Sequence, residues 1–131
     1  GATPLRLACQ QGHLEIVRLL LEAGAAFDQA CNNGATPLSI ACQQAHLDIV
    51  QLLLEAGAAI DQACGNGVTP LYIACQVGQL EIAQLLLEAS AAVNQARDDS
   101  FTPLYIACEK GQLDCARLLL EASAAINQAK D

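Results

Sequence analysis

Thr-Pro-Leu occurs four times, at Thr3-Pro4-Leu5, Thr36-Pro37-Leu38, Thr69-Pro70-Leu71 and Thr102-Pro103-Leu104, each 33 residues after the last. All four prolines of the 131-residue chain lie in these triplets. Leu-Leu-Leu-Glu-Ala recurs in the same register from Leu19, Leu52, Leu85 and Leu118. Residues 1–33 and 34–66 agree at 26 of 33 positions, and residues 67–98 and 100–131 at 23 of 32. A period of about 20–50 residues marks a stacked array, in which each unit buries its apolar face on its neighbours. We expect one domain over 1–131, built of units at 1–33, 34–66, 67–99 and 100–131.

Each unit reads as two helices and a turn. Thr is a good N-cap, and Pro fits the first helical position because its missing N–H would be unpaired there anyway. In the second unit Leu38, Ala41 and Cys42 fall on one face of a short helix. Gly12, Ala45, Gly78 and Gly111 then break the first helices. A second helix follows, with Leu47, Val50 and Leu54 along one face. An acid opens it in every unit (Glu15, Asp48, Glu81, Asp114), as the positive helix end favours. Gly24, Gly57, Ser90 and Ser123 mark its C-terminal side. If the serines keep a left-handed cap, each should cost up to ~1 kcal/mol against Gly. The rest of the unit, such as residues 60–68, is rich in Gly, Asn and Asp and reads as an extended turn or hairpin finger. With 25 Ala and 21 Leu but only two Phe, two Tyr and no Trp, the core must consist of many small contacts.

A 33-residue helix–turn–helix–finger unit with Thr-Pro-Leu and Gly12-His13-Leu14-Glu15-Ile16-Val17 resembles the ankyrin repeat. The resemblance covers essentially the whole chain and implies an all-α solenoid of stacked units joined by β-turn or hairpin fingers. There are departures. Arg6, Ser39, Tyr72 and Tyr105 stand where the family usually has His after Thr-Pro-Leu. Ala26, Ala59, Ala92 and Ala125 stand in place of the family's Asp. The hydrogen bonds those residues make between fingers and helices thus lack their usual side chains.

The resemblance further implies a concave surface, formed by fingers and first helices, that binds other proteins. Carried over position by position, its fingers contribute Asn32, Asn33 and Ala35; Gly65, Asn66 and Val68; and Asp98, Asp99 and Phe101. Its first helices contribute Gln43 and Gln44, Gln76 and Val77, and Glu109 and Lys110. Tyr72 and Gln76 share a helix face, as do Tyr105 and Glu109. Tyr72, Phe101 and Tyr105 form an aromatic cluster on this side, and Tyr is enriched at interface hot spots. The alternative is that the two Tyr fill space left by the family's His. Phe27 sits where other units have Ile60, Val93 and Ile126 and is expected in the core.

Chemistry of other kinds has little support. Six basic residues, scattered, stand against 14 acidic ones for a net charge of −8, which argues against nucleic acid and anionic membranes. The longest apolar stretches are a few residues, against the roughly 20 that span a bilayer. No charged segment followed by an apolar stretch opens the chain, so no signal peptide is expected. His13 and His46 alternate with Gln79 and Gln112 in equivalent places, as a structural residue would. No nucleophile–base grouping or phosphate loop is present, so neither an enzyme nor a cofactor is expected. Cys9, Cys42, Cys75 and Cys108 lie 33 apart and read as small buried residues rather than zinc ligands, which must converge on one ion. Cys115 reads the same way, whereas Cys31 and Cys64 fall on fingers and are expected to be more exposed. Seven cysteines without CxxC do not read as a disulfide framework, and lead us to expect an intracellular, reducing and cytoplasmic setting.

Three further readings remain. Neither terminal unit has a polar outer face, so the chain is expected to be an internal piece of a longer array or to stack end to end on other copies. Asn94 and Asn127 resemble finger positions hydroxylated in the family, though Ala92 and Ala125 replace the acid two residues before. Gln10-Gln11 equals Gln43-Gln44 while framework positions drift, for example Leu7 to Ile40. That pattern resembles duplication and drift, with an engineered or selected scaffold as the alternative. The leading expectation is a non-catalytic scaffold whose partner is another protein.

Overall fold

The computed structural model describes residues 3–28, 30, 34–65 and 67–130, with the side chains of 124–130 left aside. Eight helices are described, in four pairs: α1 (Pro4–Gln11) with α2 (Leu14–Glu22), α3 (Pro37–Gln43) with α4 (Leu47–Glu55), α5 (Pro70–Val77) with α6 (Leu80–Glu88), and α7 (Pro103–Glu109) with α8 (Leu113–Lys130). No strand occurs among the described residues.

The triplet does what its chemistry suggests. Thr3, Thr36, Thr69 and Thr102 are extended N-caps whose hydroxyls accept the backbone N–H of Arg6, Ser39, Tyr72 and Tyr105 at 3.1–3.2 Å. At α3 the Ser39 hydroxyl also accepts from the Thr36 N–H at 2.9 Å, closing a capping box where the family's His would stand.

Positive φ turns the chain from each first helix into its second, at Gly12 (78°), Ala45 (62°), Gly78 (77°) and Gly111 (69°). Second helices α2, α4 and α6 end at Gly24 (87°), Gly57 (98°) and Ser90 (76°). Ser90 therefore keeps the left-handed cap despite its Cβ. The fourth pair does not follow. Its second helix runs unbroken through Ser123 to Lys130, so the expected stop at Ser123 is absent. Serine, unlike Gly, carries no strong preference for φ > 0, and it leaves the helix free to continue.

The pairs stack in two layers, and the first helices contact one another more extensively than the second helices do. Leu5, Leu38 and Leu71 fill the inner layer, and Ile49, Leu53, Ile82, Leu86 and Leu119 the outer. Phe27 is half-buried against this core and Val93 is buried. Cys9, Cys42, Cys75 and Cys115 are buried, as expected of small apolar residues. Cys108 is not: it is exposed on α7, because no described element packs over that side of the fourth pair. Cys64 is half-buried, and Cys31 lies outside the described residues.

Two stability and reactivity outcomes follow. Replacing Ser90 with Gly should raise stability by up to ~1 kcal/mol in urea unfolding, since it relieves a non-glycine residue held at positive φ. Burial pushes the thiols of Cys9, Cys42 and Cys75 up to about 12, so almost no thiolate is present at pH 8. Mass spectrometry after brief native iodoacetamide treatment should find Cys108 alkylated and these three intact until the chain is unfolded.

Candidate protein-interaction surface

Two kinds of side-chain contact tie each pair to its neighbour. The carboxylate of Asp28 accepts the Ala59 N–H at 2.9 Å, and that of Asp61 accepts the Ala92 N–H at 2.9 Å. These acids lie two residues after the place where the family's Asp is missing, and each ties one pair to the next. His46 Nε2 lies 3.4 Å from the Gln10 carbonyl at the end of α1, and the Gln112 amide donates to the Gln76 carbonyl at 3.5 Å at the end of α5. His and Gln thus do the same work at the electronegative end of the preceding first helix. They pack closely over the glycines behind them: a Cβ at Gly12 would stand 2.7 Å from His46 Cε1, and one at Gly78 2.5 Å from Gln112 Oε1, so either side chain would have to shift. Sequence reading caught the interchange of His and Gln but missed Asp28 and Asp61, whose partners lie 31 residues on.

Fingers two and three are tight hairpin turns. Cys64 N–H donates to the Val68 carbonyl at 2.8 Å, and Arg97 N–H to the Phe101 carbonyl at 2.7 Å. The third finger is further held by side chains. Arg97 donates to the Tyr72 hydroxyl at 3.1 Å and to the Asp99 carboxylate at 2.9 Å. Its guanidinium lies 5.5 Å from the Tyr72 ring centre and 5.6 Å from that of Phe101, within reach of a cation–π attraction. The hydrogen bond to Tyr72 is the largest cause holding the guanidinium above its ordinary pKa. Phe101 stacks on Tyr105 with ring centres 3.9 Å apart and planes 12° from parallel.

This geometry corrects the expectation for Tyr72. It is 1 % exposed, inside the stack, with its hydroxyl tied to Arg97; it fills space rather than facing solvent. The next pair covers α5, whereas no described element covers the corresponding side of α7, where the equivalent Tyr105 is 44 % exposed. Equal places in the repeat therefore have unequal surroundings. Gln43, Gln44, Gly65, Asp98, Asp99, Glu109 and Lys110 are exposed; Ala35, Val68, Gln76, Val77 and Phe101 are half-buried. Asn32, Asn33 and Asn66 lie outside the described residues. Arg97, the residue that joins Tyr72, Asp99 and Phe101, was missed. Its signal was a cation preceding two acids in one finger, where the earlier fingers have Cys31 and Cys64.

Residues 1–64 and 57–130 each match the family model described as ankyrin repeats (3 copies). The chain belongs to the ankyrin repeat family. Such repeats generally mediate protein–protein interaction and are typically non-catalytic. No curated protein matches the chain. No described helix is long and apolar enough to cross a membrane.

The two tyrosines of this ankyrin array should separate cleanly. Tyr72→Ala empties a buried site and should cost about 3 kcal/mol or more. Tyr105→Ala removes one stacked ring at the surface and should cost about 1 kcal/mol. Urea titrations of the two variants against wild type measure the difference.

Proposed function

We propose that this chain is a non-catalytic scaffold that binds another protein through its finger turns and first helices. The observation that carries the reading is the third finger, exposed at Asp98 and Asp99 and fixed by the bonds of Arg97 to the Tyr72 hydroxyl and the Asp99 carboxylate, which leads through Phe101 into α7. A segment held in place before binding loses little conformational freedom when a partner covers it. Gln43, Gln44, Glu109 and Lys110 add exposed polar contacts along the first helices. The units at 1–33, 34–66, 67–99 and 100–131 would act as one domain.

A second reading, end-to-end association, is favoured by the faces of the outer pairs. Ile16 is 48 % exposed although its equivalents Ile49 and Ile82 are buried, and Leu113 is 66 % exposed. A Cβ at Gly111 would meet nothing within 4 Å, where the matching slots at Gly12 and Gly78 are filled by His46 and Gln112. These faces are of the kind that a further unit or another copy would cover. Light scattering should then show mass rising with concentration and Leu113→Glu abolishing the rise; a constant monomer mass would sink this reading.

The scaffold reading is tested by affinity capture with wild type and the Tyr105→Ala/Glu109→Ala double variant, both checked for helicity by circular dichroism. The double variant should lose the partners that wild type retains. Recovery of the same partners at the same level would show that this face is not the binding surface.

A further inference from the structure

The two layers of the stack are unequally closed. First helices contact one another more extensively than second helices do, so valleys stay open between neighbouring second helices on the outer side. One of about 480 Å³ lies between α6 and α8, lined by Gln84, Leu87, Glu88, Leu118, Glu121 and Ala122. It continues along the two helices past Leu80, Asp114 and Arg117. The valley does not depend on where the stack stops. Second helices contact one another in chain order, so a further pair would lie on the side of α8 turned away from α6. The valley between α2 and α4 is built the same way: Leu14, Asp48 and Glu55 line it as their counterparts Leu80, Asp114 and Glu121 line this one.

Floor and rim differ in chemistry. Leu87, Leu118 and Ala122 are half-buried and pack on the core. Gln84, Glu88 and Glu121 are exposed. Neither carboxylate has an ion-pair partner among the described residues, where the pairs are Arg18 with Glu15 and Arg97 with Asp99. Arg117 is the one cation among the lining residues, and Asp114, which lines the same half, offsets it. Helix stability does not explain the acids. The C-terminal end of a helix is electronegative and favours a cation. Yet Glu22, Glu55 and Glu88 end α2, α4 and α6, and no basic residue stands in those last turns. A positive charge from outside is drawn here by the carboxylates, by the end of α6 and by the field of a chain with net charge −8.

We propose that the valley between α6 and α8 is a second docking surface, on the layer opposite the first helices, which takes a lysine side chain from a basic segment of a protein partner. The stem lies along Leu87, Leu118 and Ala122, as long charged side chains lie on apolar surface, and the ammonium ends among the carboxylates of Glu88 and Glu121. The first valley carries Arg18 where this one has Gln84, so a cation of the chain itself already lines it. The surface is separate from the fingers and first helices, and neither reading depends on the other.

The probe is a peptide of about nine residues with three lysines separated by Gly and Ser, set against the same peptide with every lysine ε-acetylated, which keeps the stem and removes the charge. NMR titration of the isotope-labelled chain reads both the place and the strength of binding. The lysine peptide should shift the backbone amides of residues 84–88 and 118–122 and leave those of α1 to α4 in place; the acetylated peptide should shift neither. Glu88→Gln with Glu121→Gln should weaken binding about two- to tenfold, the range of exposed ion pairs. Gln84→Arg, which copies Arg18 into this valley at an exposed place, should weaken it too, with helicity by circular dichroism unchanged. Equal responses to the two peptides, shifts confined to the fingers and first helices, or binding unaltered by Glu88→Gln with Glu121→Gln would overturn the proposal. The Tyr105→Ala/Glu109→Ala variant should bind the lysine peptide as wild type does, whatever becomes of its captured partners, so the two surfaces fail separately. Loss of the peptide in that variant would put it on the other face and refute the valley.

Discussion

Helices of seven to nine residues do not persist alone in water, because so few intrahelical bonds cannot offset the cost of nucleation. Seven of the eight helices here are of that length. The stacking of one pair on the next is therefore the condition on which every other feature depends. It explains why Leu, Ala and Cys recur at fixed places, why small residues dominate, and why the caps are so regular. Each Thr–Pro start fixes where a first helix begins, and each left-handed turn fixes how the second returns against it. The inner layer then packs more closely than the outer.

Stacking also accounts for the polar bonds between pairs. Asp28 and Asp61 reach the backbone of the next finger, while His46 and Gln112 reach back to the carbonyl end of the preceding first helix. Both satisfy backbone groups that a helix end or a turn leaves unpaired. Their equivalence is chemical rather than literal. His and Gln share a nitrogen donor at similar reach, so one can replace the other without changing the joint.

The surface is where the units cease to be equal. Tyr72 and Tyr105 hold the same register position and cap partner, yet one is buried with its hydroxyl bound by Arg97 and the other stands open. Cys75 and Cys108 diverge in the same way. A residue's role in a stack depends on whether a neighbour covers it, and the repeat pattern is silent on that. The buried Tyr72 and the finger-spanning Arg97 support the ring pair above them, so the exposed aromatic surface is built on the core rather than added to it.

The sequence by itself determined the family, the period, the order of the helices, their caps and the apolar faces, because all of these follow from residue types at local spacings. Left-handed caps at Gly24 and Gly57 were legible for the same reason. Only the tertiary structure decided that Tyr72 is core, that Cys108 is exposed, and that α8 runs on through Ser123. It also brought Arg97 onto Tyr72 across 25 residues and Asp61 onto Ala92 across 31. Such contacts depend on how far the fingers project and what lies over them, and those distances are set by the packing of neighbouring pairs rather than by spacing within one.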